Sequence, residues 1–181
     1  VAANRVLREQ ISERERIETR LAEERNLLRI LIDNIPDDIY AKDTAGKFIL
    51  VNKPLEERLS AYLTEGGVVG TDNSAYMPKE MAEERSAQER HIIETGDAII
   101  SQQVSIMLRD GSTRYQLSTK VPLRNSQGEI IGLIGINRDI TERKEWETAL
   151  QRAHDRLEQR VMERTLELSH AHTAEREQRR M

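Results

Sequence analysis

Residues 121–150, "VPLRNSQGEIIGLIGINRDITERKEWETAL", pass from an apolar segment to a charged helical pattern with only Asp139–Ile140–Thr141 between. Within it, "EIIGLIGINR" is short, follows the "NSQG" turn and is apolar on both faces, which reads as a strand needing cover on both sides. Asp139 with Glu142 three residues later fits a capping box, so a helix is expected to begin as soon as the strand ends.

Working outward, "TRYQLSTKVPL" alternates cleanly. Tyr115, Leu117, Thr119, Val121 and Leu123 share one face, and Arg114, Gln116, Ser118 and Lys120 the other. Asp110–Gly111 is a hairpin signal, and "IISQQVSIMLR" before it places Ile100, Val104, Ile106 and Leu108 on one side. "MPKEMAEERSAQERHIIETG" reads as a helix ending at Gly96, preceded by the loop "TEGGVVGTDNSAYMP". "NKPLEERLSAYL" predicts a short helix with Asn52 as N-cap and Pro54 in the first turn. "DDIYAKDTAGKFILVN" predicts strand, turn and strand, with Asp43 and Gly46 at the turn. The order β-β, helices, β-β-β implies an α+β class: one five-stranded antiparallel sheet with helices across one face.

Two charged segments flank this domain of residues 34–140. Residues 1–33 contain no Gly or Pro, and Leu7, Ile11, Leu21, Leu28, Ile32 and Ile35 form a heptad-like stripe. That first helix is expected to cover the open side of the last strand. Residues 141–181 carry a second stripe through Leu150, His154, Leu157, Val161, Arg164, Leu168 and Ala171. A helix of that length would run roughly 60 Å and could not bury its stripe alone, so a partner is required. Trp146, the one tryptophan, is expected to pack against the domain or a dimer mate.

Composition narrows the functions. Of 181 residues, 37% are apolar and 33% charged, against about 25% charged in average domains, as expected for a compact core with solvated helices. The net charge of −4 gives no basic field for nucleic acid. With no cysteine, disulfides and thiolate chemistry are excluded. No apolar run approaches the ~18 residues needed to cross a bilayer and no signal peptide is visible. The polar helix faces mix acidic and basic residues, which disfavours direct membrane contact. A cytoplasmic location is expected, in a parent protein that can itself be membrane-anchored. No Ser-His-Asp grouping, phosphate loop or metal-ligand spacing is readable, so neither catalysis nor a metal is expected.

Three segments carry a family resemblance. "LIDNIPDDIYAKDTAGKFILVN", "GTDNSAYMP" and "VPLRNSQGEIIGLIGINRDITERK" resemble the opening strands, mid-domain loop and closing strands of a PAS domain, with its closing PAC-type motif. Such domains occur in bacterial sensor histidine kinases, within two-component systems, and in diguanylate cyclases. The resemblance covers residues 28–144, and "LEQRVMERTLEL" is similar to the signalling helices that follow such domains. It implies a signal-transduction sensor that dimerises in parallel, as a homodimer, through coiled-coil flanks and controls a covalently linked effector. The signal junction would be Asp139, Ile140, Thr141 and Glu142. The coiled-coil seam would hold Leu150, His154, Leu157, Val161 and Leu168.

The resemblance also places a ligand between sheet and central helices. Tyr40, Arg85, Gln88 and Tyr115 are the candidate wall for a small polar or anionic molecule. The competing reading has Gln88 bonded to backbone or water and Arg85 reaching outward. Flavin–thiol photochemistry needs a cysteine and is closed. Haem-binding members use a His on the long central helix. His91 lies about 80° from an inner face set by Met81 and Ile92, so no haem cofactor is expected and a haem gas or redox sensor is a minor alternative. His154, His170 and His172 lack a phosphoacceptor context, and the last two point about 200° apart. A ligand-free scaffold that only sets effector stoichiometry is the main alternative.

Overall fold

The computed structural model describes residues 2–63, 65–107 and 113–178. Leu108, the Asp110–Gly111 turn and the Leu7, His170, Ala171 and His172 side chains, on which expectations above fall, lie outside what is described. Ten elements follow in order: α1 (Ala2–Asp33), β1 (Asp38–Asp43), β2 (Phe48–Val51), α2 (Lys53–Ser60), a 3-10 turn (Asn73–Ala75), α3 (Lys79–Thr95), β3 (Ile99–Met107), β4 (Thr113–Arg124), β5 (Ile130–Asp139) and α4 (Thr141–Gln178).

Local chemistry accounts for the boundaries. The Asp43 carboxylate accepts from the Ala45 and Lys47 amides, closing the β1–β2 turn. The Asn52 side chain accepts from Leu55 N–H and caps α2, with Pro54 in the first turn. α3 ends where Gly96 turns left-handed at φ 78°, its N–H bonded to Ile92 O.

The sheet order is β2-β1-β5-β4-β3, so β5 is central. Tyr40 stands opposite Gly135 of β5, which in turn stands opposite Lys120 of β4. That row fixes the faces. Tyr40, Lys42, Leu133, Gly135, Asn137, Gln116, Ser118 and Lys120 are all buried. A Cβ at Gly135 would overlap the Tyr40 ring, so glycine makes room for that side chain. At the β1–β2 end this layer is apolar. Tyr40, Phe48, Val51, Leu55, Val68, Tyr76 and Leu133 form the core, with Tyr40–Phe48 and Phe48–Tyr76 ring edges at centroid separations of 5.5 and 6.1 Å. Toward β4 the same layer is polar.

The opposite sheet face is open. Ile131 and Ile136 of β5 are exposed and Ile134 is half-buried. The expected cover by α1 is not found within the single chain: Ile11, Leu21, Leu28 and Ile35 are exposed. α1 is instead held at its C-terminal end. Arg29 Nη1 donates to Val51 O at 2.9 Å, and Asp33 accepts from Lys53 N–H at 2.8 Å. Asn52 Nδ2 donates to Ile32 O and Asp37 O at 2.9 and 2.8 Å, while its Oδ1 accepts from Ile39 N–H at 3.0 Å. In β3 the expected alternation is broken by Ser101, whose φ is +52°. Ile100 is exposed while Val104 and Ile106 are half-buried.

By compactness, residues Val1–Val104 with Gln116–Asp139 form one unit, and Ser105–Tyr115 with Ile140–Met181 a second. Within the second, Ile140 N–H donates to Tyr115 O at 2.9 Å, and Tyr115 N–H donates to Thr141 Oγ1 at 2.9 Å. The N-cap position of α4 lies one residue beyond the Asp139 expected for it. Asp139 belongs to β5, paired with Gln116, and the first helical bond, Lys144 N–H to Ile140 O, makes Ile140 the N-cap residue. Glu142 accepts from Trp146 Nε1 at 3.4 Å. Trp146 is 69% exposed within the single chain.

Candidate functional site

The polar half of the buried layer is built by three elements. β1 brings in Lys42, two residues after Tyr40 and hence on the same face. β4 brings in Lys120 and Ser118, and α3 supplies Glu89 from its inner stripe of Ala82, Glu89 and Ile92. Lys42, Glu89 and Lys120 are 0, 3 and 2% exposed. Lys42 Nζ donates to Glu89 Oε2 at 2.9 Å and to Asn73 Oδ1 at 2.6 Å. Asn73 Nδ2 donates to the same Glu89 oxygen at 3.0 Å, tying the 3-10 turn into the cluster. Lys42 Nζ also stands 4.3 Å from the Phe48 ring centroid, a cation–π contact.

Lys120 is less well matched. Its Nζ donates to Gln88 Oε1 at 2.7 Å, but the nearest Glu89 oxygen is 3.9 Å away. Two ammonium groups therefore share one carboxylate, and Arg85, half-buried on α3, adds a third positive charge acting on both. Burial pushes the Lys120 ammonium down to about 8, against the pull of Glu89 and with the push of Arg85 and Lys42. Lys42 is likewise lowered, burial outweighing its bond to Glu89. The Tyr40 hydroxyl is raised, by burial first and by the Glu89 charge next, although it bonds to Asn137. Ser118 Oγ donates to Asn137 Oδ1 at 2.7 Å, completing a polar strip across the sheet.

A cavity of about 680 Å³ reaches this cluster from outside. Thr44, Asp72, Ala82, Ser86 and Glu89 are among its lining residues, from the β1–β2 turn, the 3-10 turn and α3. Glu89 thus borders both the cavity and the two lysines.

Of the candidate wall, Tyr40, Arg85 and Gln88 meet at this cluster. Tyr115 does not: the β4 pleat puts it on the face opposite Gln116, Ser118 and Lys120, and its backbone serves the junction instead. Gln88 proves peripheral to Glu89, which sequence reasoning passed over with Lys42, Asn73 and Lys120. One signal was available for Lys42, since a buried Tyr40 requires the residue two along to be buried too. His91 is exposed. Among the described residues, the grouping able to ligate a metal is His154, Asp155 and Glu158, all exposed on α4. No described helix is long and apolar enough to cross a membrane.

Comparison with known proteins agrees with this architecture. A family described as PAS fold matches residues 32–145. The methanogenesis regulatory histidine kinase FilI of Methanothrix harundinacea is 30% identical over 139 residues, which are 77% of this chain and 15% of FilI. The virulence sensor protein BvgS of Bordetella pertussis is 32% identical over 161 residues, 84% of this chain and 12% of BvgS. The chain therefore spans only about an eighth of the length of these relatives. The solved PAS domain of Bordetella pertussis BvgS superposes with a TM-score of 0.57 at 25% identity, covering 74% of this chain and 98% of that one. An RNA-binding light-oxygen-voltage receptor superposes at 0.52 with 25% identity, covering 72% and 37%. With the five-stranded sheet and the family match in agreement, the chain belongs to the PAS fold family, as does the solved domain of BvgS.

Proposed function

We propose that the chain senses a signal at its buried polar layer and passes it, through α4, to a histidine kinase effector in the same polypeptide. The observation that carries this reading is the junction. β5, which bears Asn137 of the polar strip, reaches α4 through a single residue, and Ile140 and Thr141 are both bonded to the Tyr115 backbone. At this same end of β5, Arg138 pairs with Asp37, which precedes β1, through bonds of 2.8–3.2 Å. Asn52 ties that same Asp37 to the end of α1. The end of α1 and the last residues of β5 are thus tied together at one end of the sheet, next to the chain's step into α4.

Leu150, Leu157, Val161 and Leu168 are exposed along α4, and α1 carries its own exposed stripe. A parallel homodimer would bury both. Polar seam residues His154 and Arg164 would keep two packings close in energy, since polar seam positions lower coiled-coil stability. The chain itself performs no catalysis in this reading. FilI, named as a histidine kinase, favours a histidine kinase over a diguanylate cyclase as effector.

The test is a graft. Residues 1–181 replace the matching segment of a sensor histidine kinase, and autophosphorylation is followed. The relay predicts that Leu157→Asp with Val161→Asp shifts kinase output to a fixed level. Unchanged output from the double variant removes the relay. Mass spectrometry of the denatured chain for a co-purified small molecule separates sensor from ligand-free scaffold.

A further inference from the structure

We propose that the buried layer is a receptor for a small organic carboxylate, with Lys120 as its anchor and Gln88 as the group that the ligand displaces. The proposal rests on the sensory reading above and narrows it to one ligand class.

Charge at the cluster comes first. Lys42 from β1 and Lys120 from β4 flank Glu89 of α3, and Glu89 is committed through Oε2 to Lys42 and Asn73. Its other oxygen stays 3.9 Å from Lys120, beyond hydrogen-bond range. Lys120, with three donors, is met at close range by the neutral amide oxygen of Gln88. The charged groups bearing on it from neighbouring elements are Glu89, Arg85 and Lys42, of which two repel it. A buried excess of positive charge is costly and is expected where an anion is to be received.

Gln88 is suited to give way. It is half-buried, and it bridges Lys120 to Gln102 of β3, where Nε2 donates to Oε1 at 3.2 Å. A carboxylate taking its place exchanges a neutral amide acceptor for a charge-assisted bond to an ammonium group. The rest of the strip suits the remainder of such a ligand. Ser118 and Gln116 on β4, Asn137 on β5 and the Tyr40 hydroxyl offer neutral donors and acceptors on the same face. Nothing in this arrangement favours a cation, since Arg85 would oppose it as well.

The anion would also hold Lys120 protonated. With the free ammonium at about 8, binding should weaken as pH rises and take up a proton in the alkaline range.

The experiment titrates the 181-residue chain with acetate, benzoate and succinate, each beside its amide: acetamide, benzamide and succinamide. Binding is read by melting temperature and calorimetry. At least one carboxylate should bind at pH 7 about tenfold or more tightly than its amide. Its affinity should fall about thirtyfold between pH 7 and 9.5, following the charged fraction of Lys120. It should fall at least about tenfold in Lys120→Met, whose melting temperature shows that the variant is folded. Equal binding of acid and amide, unchanged binding by Lys120→Met, or no binding of any carboxylate at ~10 mM overturns the proposal. Amide binding alone would leave a sensory pocket standing without anion selectivity, while the grafted kinase judges the relay separately.

Discussion

Lys120 places an ammonium group where water does not reach and where no carboxylate is within hydrogen-bond range. Replacing it with Met keeps the volume and removes the charge. Lys120→Met is expected to stabilise the domain by about 1–3 kcal/mol at pH 7, read by urea denaturation. Glu89→Gln should do the reverse, by about 3–5 kcal/mol, because it strips both lysines of their shared counter-charge. Acidity gives a further handle. The Lys120 ammonium is lowered in the folded state, so the unfolded chain binds more protons between about pH 8 and the usual lysine value of 10.5. Relative to Lys120→Met, the native protein should therefore gain stability as pH rises from 8 toward 10, and a flat difference would contradict the assignment. These residues were hard to read from the chain. In β4 the apolar alternation of Leu117, Thr119 and Val121 suggests an inward face, yet those residues are half-buried and the polar ones lie deepest. A strand that buries its polar face breaks the pattern that sequence reasoning depends on, and such breaks are expected where function resides.

Among the elements, the local signals were sufficient. Asp43 and Gly46 mark the turn, Asn52 the cap of α2 and Gly96 the end of α3, each for a reason that is contained within a few residues. What could not be read locally is the second role of Asn52. Fully buried, it accepts from Ile39 and Leu55 and donates to Ile32, Ile35 and Asp37, so one side chain binds α1, β1 and α2 together. Asn52→Ala would leave several buried backbone groups unpaired, each costing about 1–3 kcal/mol. A loss exceeding about 3 kcal/mol is expected, with faster hydrogen exchange at the end of α1. Asn52→Asp, which keeps the acceptor but sets a buried carboxylate oxygen against the Ile32, Ile35 and Asp37 carbonyls, should cost at least as much at pH 7. The shift of the α4 cap from Asp139 to Ile140 belongs to this scale too. Strand pairing with Gln116 keeps Asp139 in β5, a tertiary demand that overrides the local capping pattern.

For the whole molecule, the exposed stripes set the expectation. A chain that leaves Leu150, Leu157, Val161 and Leu168 in water on a 38-residue helix should associate. Light scattering at micromolar concentration is expected to give a dimer, and Leu157→Asp with Val161→Asp to weaken it at least about a hundredfold. A wild-type chain that stays monomeric would remove the seam. The fold class and element order were legible because turns and helix ends punctuate the sequence. The open outer face of β5 was not, since an apolar residue reads the same whether its cover comes from its own chain or from another. The length of α4 has a last consequence. At about 1.5 Å per residue, its 38 residues measure some 57 Å from end to end. Tilting such a lever by ~2° at its base sweeps the far tip through ~2 Å, comparable to the helix shifts of ~1–2 Å that switch subunit interfaces. In the proposed relay, motions too slight to disturb a packed sheet would thereby be magnified to the scale at which an enzyme can be turned on or off.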